Sequence, residues 1–298
     1  MKIIEWRNIP SPRFPINYGY FFRWIKAPIK PFILTQICKI NDDKIFVVIF
    51  KIINFFIFRW KIDVNFLKEQ KIFLIKDSKN QIFVKRKSHI NLYSNGIQER
   101  LDKLENEYLL QEVNLKQEDI VIDVGACVGE VSMIFSQKYK CKIFSFEPEE
   151  SEFKCMLKNV NKENMFSYNL PLWNEEKEIE FYAANDLHDS SCFETEDYTH
   201  IIKKKTSTIN KMFSKLIDEG KFIKLLKLEA EGAEPEILYG AEKILPKIEY
   251  IIVDVGAERG LKYETTLVEV VNFLQKKNFE LIKLGTPRLM CLFKNKVI

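Results

Sequence analysis

The feature that most constrains the fold is an apolar strand that ends in a glycine turn and opens a helix. It spans residues 120–130 (IVIDVGACVGE), and a second apolar strand, residues 143–147 (IFSFE), follows and ends in an acid. Gly125 lets the chain turn tightly after the first strand, and Gly129 lets the backbone approach a ligand closely. Open α/β sheets bind ligands at the carboxyl ends of their strands. The pattern therefore predicts a cofactor site at this edge.

The spacing of the turn indicates the class of cofactor. A carboxylate at Asp123 can neutralise the ammonium group of a bound amino acid, and Glu147 can accept hydrogen bonds from both hydroxyls of a ribose. The loop reads G-x-x-x-G, with Cys127 where a dinucleotide loop needs its middle glycine. S-adenosylmethionine has no phosphate, so the loop favours S-adenosylmethionine over NAD, and a ligand-free turn remains an alternative. The predicted cofactor-binding residues are Asp123, Gly125, Ala126, Cys127, Gly129, Glu147 and Pro148.

Strands and helices alternate from residue 120 to the end of the chain. Apolar runs at 120–124, 142–146, 165–170, 222–228 and 250–254 are separated by helical patterns, and residues 178–206 are typical of extra strands and loops. Such βαβ alternation predicts a doubly wound, mostly parallel sheet. The last two strands, 280–284 and 289–293, are too close for a helical crossover and should pair antiparallel. This ending is the usual one for class I methyltransferases.

We divide the chain into an N-terminal extension, residues 1–96, and a catalytic domain, residues 97–298. Five prolines interrupt the start of the extension, which predicts irregular structure up to about residue 70. Residues 72–85 read as two strands around a turn at 77–80. Residues 97–112 carry apolar side chains at helical spacing and form the helix that leads into the catalytic domain.

Residues 45–60 (IFVVIFKIINFFIFRW) are the most apolar stretch of the chain. The run is shorter than the roughly 20 apolar residues of a spanning helix, and Lys51 interrupts it. We interpret it as a buried or subunit-facing helix, with a helix lying in the membrane plane and a membrane span as alternatives. Residues 1–70 hold twelve Lys and Arg against five Asp and Glu, a surplus of seven, so peripheral membrane contact through this segment belongs among the hypotheses.

Composition sets further limits on function. Hydrophobic residues make up 46% of the chain and charged residues 30%, which is typical of a globular protein, and a net charge of +4 is too mild to indicate nucleic-acid binding. The six cysteines form no C-x-x-C pair, so no structural zinc site is predicted. Residues 1–10 lack the apolar core of a secretion signal. We therefore expect reduced thiols and a cytoplasmic protein, with peripheral membrane attachment as the alternative location; the oligomeric state stays open.

Four motifs resemble the FkbM-type methyltransferase family. They are VIDVGACVGE (121–130), FSFEPE (144–149), LKLEAEGAEPEILYGA (226–241) and IIVDVGAERG (251–260), and the resemblance covers residues 97–298. It implies a Rossmann-like class I methyltransferase fold, S-adenosylmethionine as methyl donor and methylation of a hydroxyl oxygen. The acceptor that the resemblance implies is a saccharide, in a glycan or a natural product.

Methylation of an alcohol requires a base for the hydroxyl proton. The candidates are Glu231, Glu229, Glu258 and His188, with Glu231 first because it follows a central strand at the ligand edge. A lone histidine in such a segment is more often a surface loop residue than a catalytic one. A divalent metal held by the glutamates is chemically open, but no metal is predicted.

Two other functions remain open. Cys127 stands where the family usually has Asn, and Asn210 where it usually has Asp. These departures support a catalytically degenerate, membrane-peripheral protein that keeps the fold. An oxidoreductase is disfavoured by the missing middle glycine of the loop.

Overall fold

The computed structural model describes residues 29–161, 163–184, 189–196, 198–286 and 288–298. The described chain begins with two helices, α1 (Ile29–Cys38) and α2 (Asp43–Ile53), and a π-helical turn (Asn54–Phe58) continues α2. Asp42 caps α2 by accepting hydrogen bonds from two backbone amides of its first turn, at 2.8 and 3.0 Å.

The prediction of irregular structure up to residue 70 is therefore wrong from residue 29 onward. Pro31 lies in the first turn of α1, where a missing backbone N–H leaves no helical hydrogen bond unmade. The other four prolines lie within residues 1–28, outside the described residues. The helix expected within residues 45–60 is confirmed. No helix of the described ranges is long and apolar enough to cross a bilayer.

A small antiparallel sheet follows, made of β1 (Asp63–Leu67), β2 (Ile72–Lys76) and β3 (Gln81–Val84). The two strands predicted within residues 72–85 are confirmed. Asp77 forms their turn, because one of its carboxylate oxygens accepts hydrogen bonds from the amides of Lys79 and Asn80 at 2.8 and 2.7 Å. A 3₁₀ segment (Lys87–Tyr93) then leads to the catalytic domain.

The lead-in helix α3 (Ile97–Glu107) is shorter than the predicted 97–112. Leu109 adopts a left-handed backbone (φ 54°), which ends the helical run before a 3₁₀ turn (Leu110–Glu112). The remaining elements are β4 (Ile120–Val124), α4 (Glu130–Gln137), β5 (Lys142–Phe146), α5 (Glu150–Asn159), β6 (Met165–Tyr168), β7 (Glu178–Ala184), β8 (Tyr198–Lys205), α6 (Ile209–Met212), α7 (Ser214–Asp218), β9 (Ile223–Leu228), α8 (Glu234–Tyr239), β10 (Ile248–Asp254), β11 (Ala257–Arg259), β12 (Glu264–Thr265), α9 (Leu267–Lys276), β13 (Phe279–Leu284) and β14 (Met290–Asn295).

The central sheet has seven strands in the order β13-β14-β10-β9-β4-β5-β6. Neighbours from β10 to β6 pair in parallel, and β14 pairs antiparallel with both β10 and β13. The predicted doubly wound sheet with an antiparallel last strand is confirmed. Strand order reverses between β4 and β9, which places their carboxyl ends at the point where such sheets bind ligands.

The N-terminal extension shares one apolar core with the catalytic domain. Buried side chains of α2 and the small sheet belong to the same cluster as those of α3, α4 and α5. Asn159 at the end of α5 fixes this contact, because its side chain accepts from the Phe83 amide at 2.7 Å and donates to the Phe83 carbonyl at 2.8 Å. The division at residue 96 stays a prediction, and the packing joins the two parts closely.

Candidate cofactor and active site

A cleft of about 470 Å³ opens at the carboxyl ends of β4, β5 and β9. Its volume lies within the roughly 300–1,000 Å³ that small-molecule sites occupy. Eight of the eleven predicted site residues line it: Gly125, Ala126, Cys127, Glu147, Pro148, Glu229, Glu231 and Glu258. The sheet therefore brings residues from four separate sequence motifs to one cleft.

The loop after β4 needs glycine at position 125 for two reasons. Gly125 has a left-handed backbone (φ 70°), and a β-carbon there would lie 1.7 Å from the carbonyl oxygen of Glu229. The backbone that follows β4 is therefore in close contact with the backbone that follows β9. Cys127 is also left-handed (φ 50°), a conformation that costs a non-glycine side chain free energy. Its backbone amide points at Glu147.

Gly129 allows close packing of two helices. It is left-handed (φ 87°), and a β-carbon would lie 2.8 Å from the Met156 side chain and 2.9 Å from that of Val160. Gly129 precedes α4, whereas both neighbours belong to α5 and its end. Its direct contact with a ligand stays a prediction.

Glu147 is buried at the end of β5 and is held by two backbone amides. Its carboxylate accepts from the amide of Cys127 and from the amide of Glu149, each at 2.7 Å. Each oxygen keeps a further lone pair for a ligand. Burial raises the pKa of Glu147 to about 8, although the two amides favour the ionised form.

Lys227, in β9, is a fully buried lysine beneath the loop. Its ammonium lies 3.0 Å from Asp123 and 3.3 Å from Glu229, and it donates to the carbonyl of Gly125 at 2.8 Å. Burial opposes the charged form, yet the two carboxylates outweigh this and raise the pKa of Lys227. Lys227 was not among the predicted site residues, although a lysine inside an otherwise apolar strand indicates a buried partner.

Asp123 lies below the cleft and not in its wall. It is fully buried, and its carboxylate accepts from the Ser132 hydroxyl at 2.6 Å and pairs with Lys227. Its predicted contact with a ligand ammonium stays a prediction. The structure adds a second role, because Asp123 is the counter-ion that holds Lys227 in place.

Glu229 stands at the cleft end of this network. Besides Lys227, it accepts hydrogen bonds from Tyr108 and Arg288, and Arg288 also lies 2.9 Å from Asp254. Burial alone would raise the pKa of Glu229, but Lys227 and Arg288 outweigh it and lower the pKa. Glu229 is therefore a fixed negative charge and a poor proton acceptor.

Glu231 and Glu258 form the acidic wall of the cleft. Burial, followed by repulsion from Glu258 and Asp189, raises the pKa of Glu231 well above its usual range. Burial and the charge of Asp254 raise the pKa of Glu258 to about 8. The backbone of Glu231 is left-handed (φ 51°), and its carbonyl accepts from the Ser191 hydroxyl at 3.1 Å. A carboxylate with a raised pKa in a cleft is typical of a catalytic acid or base.

The N-terminal extension supplies part of the cleft wall. Arg86, which is buried, lies 2.7 Å from Glu152 and also pairs with Asp189. Ser88 and His89 line the cleft beside it. No sequence motif pointed to this contribution, because the contacts join segments about 60 to 100 residues apart.

One group in the described chain combines three metal-ligating side chains, His89, Cys127 and Glu152, whose ligand atoms lie within 4.8 Å of one another. Arg86 already supplies positive charge to the Glu152 carboxylate. None of these three residues is one of the glutamates that were considered as metal ligands from the sequence.

Two further residues were singled out from the sequence, and the structure describes one of them. His188 falls outside the described residues. Asn210 does not line the cleft, since its side chain accepts from the backbone amides of Lys243 and Ile244 at 3.0 and 3.2 Å. Arg259 forms a two-pronged ion pair with Glu236 at 2.9 and 2.6 Å. Asn210 thus has a structural role outside the cleft, as an acceptor for two backbone amides.

The fold and the cleft together define a class of protein. A doubly wound sheet with an antiparallel last strand, a glycine loop after its first parallel strand and an acid after the second are the features of a Rossmann-like methyltransferase. A family model, the methyltransferase FkbM domain, matches residues 123–281, more than half of the chain. The chain belongs to this family, and it is a methyltransferase whose cofactor is S-adenosylmethionine.

Comparisons with other known proteins add only distant likenesses. No curated protein matches the chain significantly. The chain is similar to TrmK of M. capricolum in complex with S-adenosylhomocysteine (12% identity, 63% of this chain and 68% of that chain, TM-score 0.37). It is also similar to an Aquifex aeolicus S-adenosylmethionine-dependent methyltransferase (15% identity, 66% and 96%, TM-score 0.38). The family assignment rests on the family model and not on these structures.

The residues present fit this cofactor. S-adenosylmethionine carries a net positive charge, and the cleft presents the ionised Glu229 together with three further carboxyl groups, Glu147, Glu231 and Glu258. Glu147 has free lone pairs for ribose hydroxyls, and the loop at Gly125 brings the backbone to the cleft surface. The charge and the concave shape thus agree with a nucleoside that bears a cationic amino acid.

Proposed function

We propose that this protein transfers the methyl group of S-adenosylmethionine to a hydroxyl oxygen of a saccharide, in a glycan or a natural product. The observation that carries the proposal is the pair Glu231 and Glu258, two carboxyls with raised pKa values in the same cleft as the cofactor loop. A hydroxyl acceptor needs a base, whereas a more acidic acceptor would not.

The chain's own residues hold the methyl donor. Glu147 binds the ribose hydroxyls, and the negative charge of Glu229 attracts the amino-acid end of the donor. Lys227 fixes the loop between them through the carbonyls of Val124 and Gly125, at 3.2 and 2.8 Å. The bound cofactor supplies a methyl group that is already activated by its sulfonium charge, so the protein's task is alignment and proton removal.

Glu231 takes the proton of the acceptor hydroxyl. With the donor bound, a new carbon–oxygen bond would form as the donor's carbon–sulfur bond breaks, the Glu231 carboxylate would accept the released proton, and S-adenosylhomocysteine would be the leaving product. The raised pKa makes this carboxylate a stronger base than an exposed glutamate once it is ionised. Its left-handed backbone and the hydrogen bond from Ser191 hold the residue at the edge of β9.

The polar part of the cleft wall supports a polyhydroxylated acceptor. Ser88, His89, Asp189 and Ser190 line it, and they offer both donors and acceptors of hydrogen bonds at close spacing. A sugar presents several hydroxyls of both kinds, so this wall complements it.

The experiment combines the full-length protein with S-adenosylmethionine and a panel of saccharide acceptors, and it follows S-adenosylhomocysteine release and the mass gain of the acceptor. Glu231→Gln should lower the rate by about 10²- to 10⁴-fold and leave S-adenosylhomocysteine affinity unchanged. The exposed Glu264 provides the control, and Glu264→Gln should transfer at the wild-type rate.

Transfer by Glu231→Gln at the wild-type rate would assign the base to another residue, with Glu258→Gln and His188→Ala as the next variants. Cofactor binding without transfer to any hydroxyl acceptor in the panel would contradict the proposed reaction and support the degenerate alternative.

A further inference from the structure

The N-terminal helices expose an unusual amount of apolar surface. The exposed large hydrophobic side chains of α1, α2 and the π-helical turn, which we call the apolar face, are Phe32, Ile45, Val48, Ile52, Phe55, Phe56 and Ile57. Single exposed apolar residues are ordinary on protein surfaces, but a cluster of this kind marks an interaction site.

The apolar face is held rigidly by the opposite side of the same helix. Phe46, Val47 and Phe50 of α2 are buried in the core, and Phe58 closes the turn beneath them. Val48, Ile52 and Phe55 follow at spacings of four and three residues, so they share the outer side of the helix. The helix is therefore apolar on both sides, and the core accounts for only one of them.

Basic residues border the apolar face. Lys44, Lys51, Arg59 and Lys61 are exposed along α2 and the segment that follows it. Lys51 pairs with Asp63 at 3.0 Å. Residues 1–70 carry a surplus of seven positive charges, twelve minus five, whereas the whole chain has a net charge of only +4. Three of these seven surplus charges belong to residues 29–70, the part of the chain that carries the apolar face, and four to residues 1–28.

We propose that the apolar face docks into the interfacial layer of a membrane that contains anionic lipids, with α2 lying in the membrane plane. Lipid acyl chains receive the apolar side chains, and anionic headgroups meet the basic border. A second copy of this chain is a poorer partner, because it would place the two basic borders against each other.

The apolar face is also joined to the cleft. Lys87 donates to the carbonyl of Ile40 and pairs with Asp43, both at 2.7 Å, and these residues flank the start of α2. Lys87 begins the 3₁₀ segment that carries Ser88 and His89 into the cleft wall. The 3₁₀ segment that begins at Lys87 therefore connects the docked helix α2 to one wall of the cleft.

The test is flotation of the full-length protein with vesicles of phosphatidylcholine alone and of phosphatidylcholine with phosphatidylglycerol. The wild-type protein should float with the anionic vesicles, less with the neutral ones, and less again at high salt because salt screens the headgroup attraction. The variant Val48→Gln/Ile52→Gln/Phe55→Gln should bind anionic vesicles at least about tenfold more weakly, since it removes apolar area from the contact.

A matched control removes the same kind of surface elsewhere. Val268, Leu284 and Val297 are exposed by 67%, 50% and 75%, close to the 58%, 55% and 75% of the three residues on the apolar face. The variant Val268→Gln/Leu284→Gln/Val297→Gln should float like the wild-type protein. Equal melting temperatures of both variants and the wild type establish that folding is intact.

Three results would overturn the proposal. The first is a wild-type protein that floats with neither kind of vesicle. The second is a triple variant of the apolar face that floats as well as wild type, which would move the contact elsewhere, for example to residues 1–28. The third is a wild-type dimer in light scattering that the variant converts to a monomer while neither floats, which would assign the face to a second copy.

Discussion

The ammonium of Lys227 lies 3.0 Å from the carboxylate of Asp123, and both side chains are buried beneath the cofactor loop. The same ammonium reaches the carbonyl of Gly125 at 2.8 Å. This ion pair connects β9 to the end of β4 and fixes the shape of the loop that meets the cofactor. The catalytic and binding residues above it therefore depend on this buried charge pair.

Removal of the Lys227 ammonium should lower the free energy of unfolding. Lys227→Met leaves Asp123 buried without its counter-ion, and breaking a buried pair in this way costs about 3–5 kcal/mol of unfolding free energy. Chemical denaturation measures this cost. Lys154→Met is the control, because Lys154 pairs with Glu150 on the surface at 2.5 Å, where a pair contributes about 0–1 kcal/mol. Equal midpoints for the two variants would show that the buried pair has no special role.

Gly125→Ala should abolish cofactor binding. Two effects act there, the left-handed backbone and the overlap of a β-carbon with the Glu229 carbonyl at 1.7 Å. Gly220 separates these two effects. Its backbone conformation (φ 68°) is nearly that of Gly125, but no atom lies within 4 Å of the added β-carbon. Gly220→Ala should therefore cost only about 1–2 kcal/mol of stability and keep S-adenosylhomocysteine affinity. Similar losses of S-adenosylhomocysteine affinity in both variants would show that overlap with the Glu229 carbonyl does not cause the loss.

Much of the fold could be predicted from the sequence because it depends on local patterns. Apolar runs and glycine turns are visible along the chain, and they located β4, β5, β9 and the antiparallel ending. The cleft-lining glutamates were also predictable, since carboxyl ends of parallel strands meet at one edge. The partners of Lys227 and the contribution of Arg86 could not be predicted, because contacts between distant segments leave no spacing in the sequence.

The positions of α1 and α2 also could not be predicted from the sequence. Prolines near the start favoured irregular structure, yet Pro31 fits the first turn of a helix. The apolar run at residues 45–60 predicted a helix, but sequence alone could not say that one side of it packs on the core and the other faces outward. That distinction depends on the core shared with the catalytic domain.

The free protein should lose stability as pH rises from about 5 to about 8. The pKa of Glu147 is about 8 in the fold, against 4.5 for an ordinary glutamate, so the folded protein binds a proton over this range that the unfolded chain has lost. The unfolding free energy therefore falls with rising pH, by at most about 1.4 kcal/mol per pH unit for this group. Melting temperatures across this range measure the slope, and Glu147→Gln should reduce it. A slope unchanged by the substitution would mean that Glu147 is not protonated in the free protein.

Cofactor binding should also release protons near pH 7. Ribose hydroxyls that donate to Glu147 favour its ionised form, so the proton held in the free protein leaves on binding. Titration calorimetry in two buffers of different ionisation enthalpy measures the number released. Binding heats that do not depend on the buffer would contradict this description of Glu147.

The most direct test of the account is the affinity of the full-length protein for S-adenosylhomocysteine, measured by calorimetry beside NAD. The wild-type protein should bind S-adenosylhomocysteine and not NAD. Glu147→Ala should lose two hydrogen bonds to a charged group, each of roughly 1.5–3 kcal/mol, while Glu150→Ala, on the exposed first turn of α5, should bind like wild type. Binding of S-adenosylhomocysteine with equal affinity by Glu147→Ala, or binding of NAD in its place, would contradict the assignment of this cleft.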